Sequence, residues 1–548
     1  MKNWFRSGSP WIWMTGGAVS ISLIAVLGLL MLIAWRGLTY FWPSTIHEFN
    51  VQLEDGSSRI VIGEIYDREV VPIQRLLEAG VKIDPTLETV ERILVKTGNR
   101  EYVDLDFSWL LGPAITQQST PAALAVFERF TNGNFYGYPV AVEEDGVTKT
   151  LTSAEQLDVL IERAVELNNK SQGLQKGEIS SVNYELERIR LKLRSYELKD
   201  ELTSEIETKY QNIADTLRAK YQIYEAQLFS YRDQANRDAV IVRDMRGVEV
   251  RIPLSNVLEV TYPNDMGIVS KITHWFGNIG SFISSDPREA NTEGGVFPAI
   301  FGTIFMVMLM AVIVTPLGVV AAIYLHEYAP KNGLTKMIRI AVINLAGVPS
   351  IVYGVFGLGF FVYMLGGSID DLFYPESSPS PVFGSPGVLW SALTLAILTL
   401  PVVIVSTEEG LSRIPTSLRQ GSLALGATKF ETLWRIIIPM ASPAIMTGLI
   451  LAVARAAGEV APLMLVGVVK LAPTLPVDMN FPYIHVERKF MHLGFHIYDV
   501  GFQSPNVEAA RPLVYATSFL LVTVIIGLNL TAIAVRNHLR EKFKNLEL

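Results

Sequence analysis

Residues 296–325 read VFPAIFGTIFMVMLMAVIVTPLGVVAAIYL, a run without one charged side chain. Wound as an α-helix at 1.5 Å per residue, it is longer than the ~30 Å of hydrocarbon it would have to cross. Five other stretches share its character, at about 11–35, 340–366, 387–407, 440–466 and 513–535. The expectation is an all-α polytopic membrane protein with six transmembrane helices. Trp35, Tyr324, Trp390 and Tyr515 lie near span ends, where amphipathic rings suit the membrane interface. Composition agrees: of 548 residues 49% are hydrophobic and 18% charged, against roughly 25% charged in soluble domains. A net charge of −8 argues against a nucleic-acid partner. With no cysteine, the chain has no disulfide, thiolate metal site or thiol nucleophile.

Charge sets the expected orientation. Basic residues gather in the short segments read as internal: Lys2 and Arg6; Lys331, Lys336 and Arg339; Arg413, Arg419, Lys429 and Arg435; Arg536, Arg540, Lys542 and Lys544. Segment 367–386 (GSIDDLFYPESSPSPVFGSP) has none. Basic loops stay on the cytoplasmic side, so both termini are expected there. Residues 1–36 then form a short tail and an uncleaved first span, too long for a signal peptide's apolar core. By parity, polar residues 37–290 form an extracytoplasmic (periplasmic) domain of mixed α/β character. Arg59–Ile65 and Val248–Ile252 alternate like strands, and Asp55-Gly56, Thr97-Gly98-Asn99 and Asp145-Gly146 mark turns. A helical, coiled-coil-like segment is expected over about 153–245. Glu178 to Arg246 lacks both Gly and Pro, and Val182, Leu186, Ile189, Leu193 and Tyr196 step by four and three. The period slips before Ile206, so the helix either carries a stutter or folds back. Such a segment serves as a stalk or as a docking surface for another extracytoplasmic protein.

Residues 291–548 hold the candidate functional side chains. The stretch ARAAGEVAP (454–462) places Arg455 and Glu459 in an apolar run. Each such charge costs about 2.5–3.5 kcal/mol at a helix centre, so each needs a partner or a task. Four residues apart, they share a helical face and can form a structural pair; the other reading is an anion site in a pathway. A guanidinium fork matches two phosphate oxygens, and a carboxylate can accept the proton that hydrogenphosphate carries and sulfate lacks. Asn344, Ser350 and Tyr353 add polar groups to the third span, where Gly347, Pro349 and Gly354 permit bending. His492 and His496 lack a third residue at ligand spacing and read as surface, so no metal site is expected. Glu408-Glu409 and Asp370-Asp371 read as solvated ends.

Loop 408–438 reads as two short helices about Gly426, with Pro439 in the first turn of the next span. Within it GSLALGAT (421–428) nearly forms a phosphate-binding loop, but Ala427 stands where the lysine is required. Gln420-Gly421-Ser422, then Gly426, then Ile436, Ile438 and Pro439 resemble the coupling loop of binding-protein-dependent ABC importer permeases. The first triplet departs from that family's Glu-Ala-Ala, and Ile438 replaces a leucine. LAGVPSIVYG (345–354) and ARAAGEVAPL (454–463) further resemble the phosphate-specific permeases of the PstA type. The resemblance implies a type I ABC importer permease (MetI-like) fold over 291–548. It also implies an inner-membrane permease subunit of an ATP-driven inorganic phosphate importer, not itself an enzyme and without a cofactor, ATP being bound by a partner. The implied partners are a homologous permease of the PstC type, two copies of a cytosolic ATPase of the PstB type, and an extracytoplasmic phosphate-binding protein of the PstS type. Carried over by motif, Arg455 and Glu459 serve phosphate passage. Gln420, Gly421, Ser422, Gly426, Ala427, Ile436, Ile438 and Pro439 serve ATPase coupling. The insertion 37–290 departs from the family. Two alternatives stay open: a permease for another oxyanion, and a membrane-anchored signalling or scaffold protein acting through the coiled-coil domain.

Overall fold

The computed structural model describes residues 9–53, 56–78, 88–103, 106–151, 153–504 and 507–543. Lys2, Arg6, Asp55 and Lys544 lie outside the described residues, as do the side chains of Arg540 and Lys542. The chain divides into two compact units, Phe41–Ser281 and Met1–Tyr40 with Phe282–Leu548. Helix α1 (Trp11–Thr39) belongs to the second.

Unit 41–281 contains two antiparallel sheets. The first, in order β4-β3-β2-β1-β5, uses β1 (Ile46–Gln52), β2 (Ser58–Pro72), β3 (Thr89–Lys96), β4 (Phe107–Leu111) and β5 (Ile115–Ser119). The second runs β10-β9-β7-β6-β11, with β8 on β7: β6 (Ala125–Arg129), β7 (Phe135–Glu144), β8 (Val147–Thr150), β9 (Ala239–Arg243), β10 (Glu249–Pro253) and β11 (Val257–Thr261). The expected turn glycines Gly56, Gly98 and Gly146 take left-handed backbone, at φ +82°, +54° and +77°, which glycine adopts without steric cost. Helix α2 (Ala154–Leu174) lays Leu157, Ile161 and Ala164 on Val240, Val242 and Phe135 of the second sheet. A widened turn, Gln175–Ile179, leads into α3 (Ser180–Leu198). The chain then reverses, and α4 (Ser204–Asn236) returns with Thr203 as its cap. The slip before Ile206 is therefore a fold-back. The helical segment ends at Asn236 and not near 245, because 239–243 is the β9 strand. β-branched Val240, Ile241 and Val242 are better placed in a pleated sheet than in a helix. Helix α5 (Ile268–Ser284) closes the unit.

Six helices are long and apolar enough to cross a membrane among the described residues: α1, α6 (Phe297–Tyr328), α8 (Ser350–Phe373), α9 (Val388–Arg413), α11 (Lys429–Gly458) and α12 (Ala510–His538). The shorter α7 (Gly333–Leu345) and α10 (Thr416–Ala424) lie between them. α9 is the central post. Its Val388, Ala392, Leu395, Ala396 and Val403 meet Met306, Val307, Met310 and Val314 of α6, and Ala452, Val453, Ala456 and Ala457 of α11. Small residues bring the backbones together. A Cβ on Gly448 would stand 2.7 Å from the Ser406 Cβ, and Gly410 meets Ala444 in the same way.

Two boundaries differ from the apolar runs. The run 340–366 is split, since α7 ends at Leu345 and the span starts at Ser350. The run 440–466 is cut at Gly458, followed only by a short turn, Leu463–Val466. One rule explains both. A proline ring clashes with the carbonyl four residues before it in a helix. Pro349 stands four after Leu345, and Pro462 four after Gly458. In both cases the last helical residue is the one whose carbonyl the ring would strike.

Replacing Gly448 with valine is expected to wedge α9 from α11 and to cost about 1–3 kcal/mol. Thermal unfolding of the detergent-solubilised protein checks this, with Gly421→Ala, which meets open space, expected to be neutral.

Candidate functional site

The two interruptions meet. Pro462 packs on the first turns of α8, where a Cβ on Gly354 would stand 2.7 Å from the Pro462 Cα. Gly357 is pressed against Thr394 of α9 and Val466. Depth follows from packing register. The pairs Gly410–Ala444 and Gly448–Ser406 make α9 and α11 antiparallel and put Arg455 level with Thr399. Thr399 is eleven residues from the start of α9 at Val388, about 16 Å, or roughly half a hydrocarbon layer. α11 thus stops near mid-depth. Arg455 sits in its last turn, not halfway along a longer span, yet at the depth the apolar run suggested. Non-helical backbone at such depth is tolerated only inside protein or along a water-filled cavity.

Arg455 is part-exposed, with 34% of its side chain accessible. Glu459, the cap residue, has left the helix at φ −80° and ψ 130°. The expected pair forms, but loosely: Nε lies 3.7 Å from Oε1. That exceeds hydrogen-bond length, so among the described residues the guanidinium fork is held by an ion pair alone. Tyr353 of α8 is near enough for the Arg455 charge to act on it. Its hydroxyl donates to the Leu345 carbonyl at 2.6 Å, beside the 3.2 Å bond that this carbonyl accepts from the Val348 amide in the turn replacing the helix. Ser350 opens the same helix, one turn from Tyr353, and is half-buried. Asn344 is not brought in: it is exposed in the last turn of α7, on the far side of the break.

The loop residues form a second constellation. α9 continues to Arg413, so the first loop helix begins at Thr416 and not near 408. Gln420 and Gly421 are exposed on α10, and Ser422 is buried. Gly426 takes φ +89°, a left-handed hinge in open space. Ala427, half-buried, precedes Thr428, which shares a reciprocal cap with Glu431 at the start of α11. The Ser422 and Thr432 hydroxyls meet at 2.9 Å across the hinge. Ile436, Ile438 and Pro439 are half-buried, with Ile437 fully enclosed between the first two.

Sequence reasoning missed Glu327, at the end of α6. Its carboxylate meets Arg419 of α10 at 3.1 Å, with the two side chains 12% and 18% exposed. Its carbonyl accepts from Lys429 Nζ at 2.5 Å. The available signal was a lone acid closing an apolar span opposite a basic loop. Glu408 is likewise not solvated but part-buried, 3.4 Å from Arg339. Asp370 is buried and accepts from the Phe383 and Gly384 amides at 2.8 and 2.7 Å. His492 and His496 are buried and not on the surface, and burial pushes both imidazoles down to about 4. No metal-ligating cluster occurs among the described residues.

Residues 314–545 match the family described as binding-protein-dependent transport system inner membrane component. A probable ABC transporter permease, YqgI of Bacillus subtilis, is 31% identical over 258 residues, 46% of this chain and 81% of the relative. The phosphate transport system permease PstA 1 of Mycobacterium tuberculosis is 34% identical over 245 residues, 44% of this chain and 71% of the relative. The phosphate transport system permease PstC of Mesorhizobium japonicum is 34% identical over 188 residues, 33% of this chain and 57% of the relative.

Tyr353→Phe is expected to leave the Leu345 carbonyl with only the Val348 amide as donor and to cost about 0.5–1.5 kcal/mol, read as a lowered unfolding midpoint. Glu327→Ala is expected to free α10, so that trypsin cleaves after Arg419 and Lys429 faster than in the unmodified protein.

Proposed function

The chain belongs to the family of binding-protein-dependent transport system inner membrane components, and from that premise we propose that it is a permease subunit of an ATP-driven importer of inorganic phosphate. The carrying observation is a part-exposed guanidinium near mid-depth, where two broken helices meet and only a 3.7 Å ion pair holds it. Relatives named as phosphate permeases support the substrate class. The planar guanidinium fork matches two oxygens of a phosphate oxyanion, and the α8 N-terminus at Ser350 favours negative charge. One loosely held arginine suits passage, which needs binding weak enough to release.

In this reading Arg455 greets the anion, and Glu459 accepts a hydrogen bond from the hydroxyl that hydrogenphosphate carries and sulfate lacks. Tyr353 and Ser350 line the passage; Asn344 has its place only at the mouth below the break. The hinge at Gly426 and residues Gln420–Pro439 take the push of a separate cytosolic ATPase. A homologous permease completes the passage, and an extracytoplasmic binding protein delivers phosphate. Basic loops put both termini in the cytoplasm and the 41–281 unit outside.

Phosphate uptake by cells whose only phosphate permease is this one tests the reading. Arg455→Ala and Arg455→Lys are each expected to lower uptake roughly tenfold or more, equivalent to about 1.4 kcal/mol. Uptake at the unmodified rate by both would overturn the assignment. Glu459→Gln is expected to admit competition by sulfate.

A further inference from the structure

Helix α5 (Ile268–Ser284) has two unlike faces. At about 100° of rotation per residue, Ile268, Val269, Ile272, Phe276, Ile279 and Ile283 fall within one stripe about 100° wide. The stripe is open: Val269 is 79% and Phe276 63% exposed, with Ile268, Ile272 and Ile283 exposed beside them. The other side is fastened. His274 Nδ1 lies 3.3 Å from Glu259 of β11, and Asn278 donates to the Phe41 carbonyl at 3.2 Å. Phe282 is buried, and its carbonyl accepts from the Val296 amide at 2.8 Å.

Those fastenings say what covers the stripe. Phe41 comes two residues after α1 ends at Thr39, and Val296 directly precedes α6 at Phe297. The helix is hydrogen-bonded to the chain where it leaves one span and where it enters the next. The last turn of the helix, with Phe282 and the stripe's Ile283, belongs to the membrane unit, and only about a dozen residues separate Ser284 from α6. Trp42, beside Phe41, is also part-exposed, as an interfacial anchor would be. The stripe carries no charge or hydrogen-bonding side chain, as burial among acyl chains requires.

We infer that α5 lies in the plane of the bilayer surface, with Ile268, Val269, Ile272, Phe276, Ile279 and Ile283 at the headgroup–acyl boundary. The partner is phospholipid, and the inference does not depend on the transported substrate.

The sequence has no cysteine, so a single introduced one carries a spin label uniquely. The full chain is reconstituted in phosphatidylcholine nanodiscs with labels at Ile272→Cys, Phe276→Cys and Ile283→Cys, and on the other face at Ser270→Cys and Ser281→Cys. Collision with oxygen and with a water-soluble nickel chelate is measured. At 272, 276 and 283, oxygen is expected to relax the label more strongly than the chelate; at 270 and 281 that order should reverse. Equal chelate access at all five sites would overturn the inference, since the stripe would then face water. Shielding of the stripe from both reagents would overturn it too, by showing a protein partner or a second copy. Circular dichroism of each labelled variant confirms that the helix content is kept.

Discussion

A proline ring clashes with the carbonyl four residues before it, and although Pro316, Pro401 and Pro443 are absorbed inside their helices, two such clashes end helices at the centre of this membrane unit. Pro349 ends α7 at Leu345 and Pro462 ends α11 at Gly458. Backbone groups released at such depth cannot turn to water through lipid, so they have to be answered by protein or face a wet cavity. Tyr353 answers one, the Leu345 carbonyl. Close approach supplies the rest of the fit, because Gly354 and Gly357 let the segment after Gly458 lie on the first turns of α8. Arg455 is stranded beside this junction. Its aliphatic stem can lie along Ala452 and Ala456 while the head reaches for polarity. A helix C-terminus also suits a cation, which offsets part of the cost of burying it.

The same helix connects that junction to the loop. α11 runs from Lys429 to Gly458, so Lys429 and Arg455 are about 39 Å apart along one element. At its loop end the element is tied to α6 through Lys429 and the Glu327 carbonyl, and α10 is tied to the same residue through Arg419. Glu327 therefore holds both loop helices, with Gly426 as the free joint between them. A rod clamped at one end and broken at the other moves as a unit.

The spans were legible because sustained apolar length is a signal that tertiary context seldom reverses. Their ends were not, because hydropathy is blind to where a proline strikes: the run 340–366 looks continuous across Pro349. The four-residue clash marks both breaks, but it also marks Pro316, Pro401 and Pro443, whose helices continue, so the sequence alone does not single out the two. Arg455 and Glu459 were legible as charges out of place, and their pairing as a consequence of spacing. Asn344 was misplaced by the same missed break. Asp370, His492 and His496 misled for another reason. Each lies in a loop that reads as surface, and each is buried by a return of chain: 383–384 over Asp370, and the packing around Leu493 and Thr303 by the histidines. Glu327 carries meaning only once the fold brings a basic loop against it. In the other unit, Gly- and Pro-free sequence overstated the helix, since β9 needs neither residue.

The account rests on the Arg455 head facing water along a passage and not acyl chains. Arg455→Cys, unique in a cysteine-free chain, reports this when membranes holding the full transporter meet a charged, water-soluble thiosulfonate. The account predicts that the thiol is modified and that added phosphate slows the modification. A thiol that resists the charged reagent and reacts only with a lipid-soluble maleimide would contradict it.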